Sequence, residues 1–189
     1  MSRASLVLAV LIAIVTVGGV MCCLAQNNQP TQFLPGPTLA AMISGSLNSP
    51  MFHHWYVVDE KDKVVDAVGG GESSCAFYVS VLLQSCGLVD GVYPHMDRLV
   101  EGMERSGWRE LKEGEADTSI MVVVWGTEYG NRHLGFAFAG SSMAVSHSSF
   151  EGVPRRHSRT LRDGRTIARR FMHPKLVDLD EYLNLHGVI

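Results

Sequence analysis

Seven consecutive residues, Ser119-Ile120-Met121-Val122-Val123-Val124-Trp125, carry no charge and are dominated by β-branched side chains. A run of that kind reads as a central strand covered on both faces. Whatever the chain folds into has to be built around it. The next apolar stretch reads differently. His133 to Ala139 alternates, with His133, Gly135 and Ala137 on one face and Leu134, Phe136 and Phe138 on the other. The second face can supply a core. The first, made of small residues, leaves room above it for a helix N-terminus or a substrate chain. Gly140-Ser141-Ser142 is a hairpin turn and Met143 to His147 the return strand. Ser148 to Gly164 is polar and reads as a loop. Ile167 to Met172 is a candidate last strand, stopped by His173-Pro174, and Leu176 to Leu185 closes the chain as a helix or an extended tail.

Upstream, Gly69-Gly70-Gly71-Glu72-Ser73-Ser74-Cys75 leads into an apolar segment that ends at Gly87. Ser73 or Ser74 can cap a helix, because a serine oxygen accepts from the free N–H groups of the first turn. Gly87 can end it in the left-handed conformation. Phe77 to Val81 also has strand propensity, but the length and the two end signals favour a helix. Cys75 then lies in the first turn, where the helix dipole and free N–H groups favour a thiolate and lower its pKa. That is a common way to present a thiol nucleophile.

Residues 1–25 differ in kind from the rest. Arg3 precedes an almost unbroken apolar run from Leu6 to Val20, and Cys23-Leu24-Ala25 is a passable cleavage site. The segment reads as a secretory signal, or as a membrane anchor through residues 6–25, which are about long enough to span a bilayer. Cleavage would remove Cys22 and Cys23 and leave Cys75 and Cys86. On one helix those two are about 16 Å apart along the axis, beyond disulfide reach. Cys86 reads as a buried apolar residue, which leaves Cys75 in need of another reason, and catalysis is one. The net charge of −3 and the export signal argue against a nucleic-acid partner.

Between these landmarks the signals are weaker. Residues 26–50 are rich in Asn, Gln, Pro, Ser and Gly and read as a linker with at most a short helix near Leu39 to Ile43. The remainder, 51–189, is the candidate catalytic domain. Met51 to Val68 reads either as a strand pair or as the start of a helix. In Pro94 to Glu104 the spacing of Met96, Leu99, Val100 and Met103 is helical, and Gly107 ends it. His53-His54 lacks neighbouring ligands, so no metal is expected, nor any cofactor. The arginines from Arg155 to Arg170 could meet an anionic polymer or substrate carboxylates, or simply be solvated. Asn131 could stand near a cleft or serve a turn.

A histidine at the start of a strand, downstream of a helix-borne thiol, can act as its general base: His133 for Cys75. Such a base needs an acceptor for its other ring N–H. The return strand offers His147 or Ser146, and register decides between them. If paired positions sum to 282, His147 lies opposite Gly135. If they sum to 281, Ser146 does. Hydrophobic patterning favours Ser146; the better acceptor chemistry of a neutral imidazole favours His147, which is the first choice.

The segments Cys75-Ala76-Phe77-Tyr78-Val79, Val122 to Trp125, His133-Leu134-Gly135-Phe136-Ala137-Phe138 and Ala144 to Ser149 together resemble the NlpC/P60 and CHAP superfamily of papain-like cysteine peptidases and amidases acting on the cell wall. The usual Asp-Cys-Ser-Gly-Phe stands here as Ser73-Ser74-Cys75-Ala76-Phe77. The resemblance implies an α+β fold in which a cysteine-bearing helix packs on a central antiparallel sheet. It implies a secreted or periplasmic hydrolase that cleaves an amide bond in peptidoglycan, with Cys75 as nucleophile, His133 as base and a third polar group on the next strand, often a histidine. The alternatives are a non-catalytic cell-wall binding module on the same scaffold, or a membrane-tethered papain-like hydrolase of protein or lipid amides.

Overall fold

The uncharged run becomes the inner strand β4 (Ile120–Trp125), in which every residue is buried. It belongs to a six-stranded sheet in the order β3-β8-β4-β5-β6-β7. The other members are β3 (Arg109–Glu110), β5 (His133–Phe138), β6 (Met143–Ser148), β7 (Val153–Ser158) and β8 (Ile167–Met172). All neighbours pair antiparallel, and β4 meets β5 from Ile120↔Phe138 to Trp125↔His133. A separate hairpin joins β1 (Tyr56–Val58) to β2 (Val64–Asp66), so the ambiguous stretch is a strand pair. Among the described residues, three α-helices complete a mixed α+β architecture: α1 (Pro35–Gly45), α2 (Ser74–Ser85) and α3 (Met96–Arg105). This computed structural model describes residues 32–127 and 132–176. They fall almost wholly in one compact unit, Leu34–Ile189; of the other, Met1–Phe33, only residues 32 and 33 are described. The signal or anchor segment and Asn131 lie outside the described residues. Among those described, no helix is long and apolar enough to cross a membrane.

The sheet has two unlike faces. Ile120, Val122, Val124, Leu134, Phe136, Phe138, Val145 and Phe171 face the helices and share one core with Leu39, Tyr78, Leu82 and Leu99. The other face carries a smaller cluster of Met121, Val123, Trp125, Ala137 and Ala144, with Leu161 and Ile167 packed against it. Burial on the first face follows from the alternation of β5. The core therefore lies where Leu134, Phe136 and Phe138 were expected to build it.

Four expectations need correction. First, residues 35–45 of the linker-like stretch form a full helix, with Leu39, Ala40 and Ile43 buried in the core. Pro35 and Pro37 sit in its first turn, where the missing N–H costs nothing; their presence made a helix read as a linker. Second, Ser148 to Gly164 is not all loop, because it contains β7. That strand is a polar edge, Val-Pro-Arg-Arg-His-Ser, with no apolar alternation to reveal it. Third, α2 packs on the Leu134 face and not on the small-residue face of His133. Fourth, Gly135 pairs with Ser146 and Ala137 with Ala144. The register sum is 281, so His147 points to the helix side and Ser146 lies beside His133. The hydrophobic pattern decided the register, because a slip of one residue would have turned Val145 out of the core.

Candidate functional site

Helix α2 starts at Ser74 after three consecutive glycines with φ of 59°, 66° and 95° at Gly69, Gly70 and Gly71. Neither serine caps it through its side chain: Ser73 occupies the cap position without a side-chain bond, and the Ser74 hydroxyl donates to the carbonyl of Phe52 at 2.7 Å. The glycine loop is tied down by Asp66. Its carboxylate accepts from the N–H groups of Trp55, Val68 and Gly70 at 3.0, 3.2 and 2.7 Å, and meets Nδ1 of His54 at 2.8 Å. These bonds, the Trp55 N–H first, hold the Asp66 carboxyl well below the usual carboxylate range. Sequence reading missed Asp66, although an acid three residues before a glycine run is a recognisable turn anchor. At the far end, Leu88 N–H bonds to Leu83 O and Gly87 N–H to Gln84 O, both at 2.9 Å, around Gly87 with φ 63°. This is the expected left-handed cap.

Cys75 lies on the first turn of α2, packed against the main core. The backbone N–H groups of Leu134, Ala76 and Cys75 itself turn toward the sulfur and favour its ionised form. Burial outweighs them and pushes the Cys75 thiol up, not down. The helix start therefore does not deliver the depressed thiol pKa that the sequence suggested; the resting group is a neutral thiol. Leu134 follows His133 directly, so the sulfur is brought to the end of β5 at which His133 begins. The His133 ring belongs to the opposite face. Being the first residue of the strand, it stands at the rim of the sheet, with Cys75 packed on the helix side and the His133 ring in the groove of the other face. Among the described residues no hydrogen bond joins Cys75 to His133.

His133 is the end of a three-residue chain. Its Nε2 lies 2.8 Å from Ser146 Oγ, and that oxygen lies 2.7 Å from Nε2 of His157. His157 Nδ1 is 2.7 Å from the carbonyl oxygen of Ser158. A carbonyl only accepts, so Nδ1 of His157 is the donor. In the neutral ring Nε2 of His157 is then an acceptor and takes the Ser146 hydroxyl proton. Ser146 Oγ in turn accepts from Nε2–H of His133. The lone pair of His133 is thereby fixed on Nδ1. Burial, and after it the nearby His157 and Arg165, pulls His133 down to about 4. Burial also lowers His157. Both rings are neutral at pH 7. The close approach of β6 needs Gly135: a Cβ there would meet Val145 O at 2.5 Å and Ser146 Cβ at 2.7 Å.

His147 sits apart from this chain. It is 1% exposed, its ring centroid is 6.4 Å from that of Tyr78 on α2, and neither ring nitrogen has a hydrogen-bond partner among the described residues. A Cβ on Gly71 would meet it at 3.3 Å and would meet His53 at 2.7 Å. Burial holds His147 at about 4. The structure thus joins His133 to the second-choice residue Ser146 and leaves the first choice, His147, under the helix.

On the His133 face an open groove of about 920 Å³ runs between the β6–β7 turn and the β7–β8 loop. His133, Ser146 and His157 line it; Cys75 does not. Among the described residues, no group of three or more His, Cys, Asp or Glu could hold a metal ion. The rings of His53 and His54 lie tilted by 33°, with centroids 4.7 Å apart. His157 escaped sequence reading because the strand that carries it did.

Compared with protein-family models, with curated proteins and with solved structures, the chain matches none.

Proposed function

We propose that this chain is an exported cysteine hydrolase that cleaves an amide bond in peptidoglycan, in the manner of the NlpC/P60 and CHAP enzymes it resembles. Cys75 is the nucleophile and His133 the general base. Ser146 orients His133, in place of the histidine preferred from the sequence. The observation that carries this reading is the chain from His157 through Ser146 to His133, which keeps Nδ1 of His133 unprotonated at the start of β5, the strand whose Leu134 N–H favours the Cys75 thiolate.

Both reacting groups start neutral, so the proton moves during attack. Nδ1 of His133 takes the thiol proton as sulfur bonds to the carbonyl carbon, and the N–H groups at the start of α2 stabilise the oxyanion. The imidazolium then protonates the leaving amine, and water releases the acyl group by the reverse proton path. The substrate class and the secreted or periplasmic setting rest on the resemblance, as does membrane attachment through residues 6–25. No nucleic acid, metal or cofactor enters the scheme.

The test is digestion of purified peptidoglycan with the wild-type chain and with Cys75→Ala, followed by mass analysis of the fragments. New amino termini that appear with the wild type alone are the expected result. Identical digests would end the proposal. A second reading, a binding module without chemistry, is favoured by the raised pKa of Cys75. Alkylation separates the two: the hydrolase requires Cys75 to react faster than Cys86 near neutral pH, whereas a binding module gives two equally inert thiols.

A further inference from the structure

The groove beside His133 has a wall that the catalytic scheme does not use. The β7–β8 loop is pinned over the sheet by Trp125, whose Nε1–H donates to Arg159 O at 2.6 Å. It is pinned also by Asp117, which bonds Arg159 at 2.7 Å and Arg170 at 2.6 Å. Leu161 packs on the smaller core cluster, and its N–H bonds to Arg165 O at 3.0 Å to close a tight turn. Arg162 lies in that turn and lines the groove. Arg155 opposite is held by Glu151 and Asn48, and Arg165 by Asp163 at 2.6 Å. Arg162 makes no ion pair or hydrogen bond among the described residues.

Arg162 is exposed and uncommitted on a turn whose backbone is held beside the groove, and its guanidinium fork fits a carboxylate with two parallel bonds. Around it the groove offers mostly donors: the hydroxyls of Ser148 and Thr160 and the other arginines. Two acids, Glu151 and Asp163, oppose four arginines in the lining. The exposed ring of Phe150, 92% accessible, stands at the lip.

We propose that the groove binds a carboxylate-bearing peptide, with the carboxylate on Arg162 and the chain running toward His133. This deepens the hydrolase reading and rests on it for the direction of the chain alone; the anion preference stands on the groove. The alternative anion source is a phosphodiester wall polymer. It fits less well, because regularly spaced charges need a row of unpaired cations and the acids Glu151 and Asp163 interrupt this one.

The experiment uses the Cys75→Ala chain, which cannot turn over, and titrates it calorimetrically. The probes are a peptidoglycan stem tetrapeptide with free carboxylates, the same peptide with its carboxylates amidated, and poly(glycerol phosphate). Amidation, or Arg162→Ala, should weaken binding at least about tenfold, and Arg162→Lys should recover part of the loss. Arg98→Ala, a change on the exposed side of α3, controls for net charge and should leave binding unaltered. Equal binding of free and amidated peptide, no binding of either, or a preference for the phosphate polymer overturns the proposal. Should the wild type fail to cleave peptidoglycan while Arg162-dependent discrimination persists, the hydrolase reading falls and the groove assignment stands. Cleavage without discrimination overturns the groove assignment alone.

Discussion

Ser146 Oγ lies 2.8 Å from Nε2 of His133 and 2.7 Å from Nε2 of His157, so one hydroxyl joins two imidazoles. It can donate to only one of them. The Ser158 carbonyl, by claiming Nδ1–H of His157, decides which. A residue two strands away thus sets the tautomer of His133, and with it the nitrogen available as a base.

Ser146→Ala should therefore slow peptidoglycan cleavage at least about tenfold, with KM little changed, because the His133 ring loses the partner that holds it. His147→Ala should leave kcat within about threefold, since the His147 ring lies on the helix side beside Tyr78 and makes no hydrogen bond to His133 or Ser146. Steady-state kinetics on both variants, with circular dichroism to confirm folding, decides it. The opposite ranking would restore His147 as the third group and refute the assignment to Ser146.

The two cysteines separate chemistry from packing. Cys75→Ala should abolish cleavage and keep the melting temperature close to wild type. Cys86 is 2% exposed, within 3.8 Å of Met42 Sδ, and Cys86→Ala should cost about 1 kcal/mol while activity survives. Thermal melts and a cleavage assay on each variant give the answer; an inactive Cys86→Ala beside an active Cys75→Ala reverses the assignment.

Acid should affect this protein in two distinguishable ways. His133 is neutral down to about 4, so kcat/KM should hold level through pH 6 and fall only near pH 4. A base with an ordinary imidazole pKa would lose activity from about 6.5 downward. Stability follows a different course. His133 and His147 at about 4, and His157 lowered as well, bind protons more weakly in the folded chain than in the unfolded one. For His133 and His147 this contribution is whole above about pH 6.5 and is lost as pH falls toward 4, by up to about 1.4 kcal/mol per pH unit for each; His157 adds to the loss in the same direction. Urea melts from pH 7.5 to 4.5 should show stability declining while activity in water stays flat. An activity limb at pH 6 to 7 would mean that His133 is not the buried neutral base described.

How much of this was legible beforehand follows from where the apolar residues lie. β4, β5 and α2 announce themselves, because burial on two faces, on one face or behind a helix cap leaves a pattern in side-chain type. The β5–β6 register was equally legible: Val145 had to join Phe136 in the core, and weighing acceptor chemistry above that pattern favoured His147. β7 left no such trace. It is an edge strand whose inner face meets polar Ser146, so Arg155 and His157 look like loop residues. The thiol pKa was misread for a related reason. A first-turn position fixes the dipole, but the desolvation that opposes it comes from burial against the core, which no local pattern displays.

Gly135 ties the fold to the site more tightly than any residue with a side chain, and Gly135→Ala should show it. The new methyl would lie 2.5 Å from Val145 O and 2.7 Å from Ser146 Cβ. A carbonyl in a strand cannot swing aside as a flexible side chain would, so β6 must move. The expected cost is at least about 1–3 kcal/mol of overpacking, together with a lengthened bond between His133 and Ser146. Gly45→Ala gives the matched control. That glycine ends α1 with nothing within 4 Å of an added Cβ, so the change should be neutral or stabilise by up to about 1 kcal/mol. Melting temperature reads the first effect. The nitrogen chemical shifts of His133, which distinguish a proton on Nε2 from one on Nδ1, read the second. If Gly135→Ala folds as stably as wild type and keeps the Nε2–H tautomer, β6 does not lie against β5 in the described register, and the hydrogen-bonded chain through Ser146 falls with it.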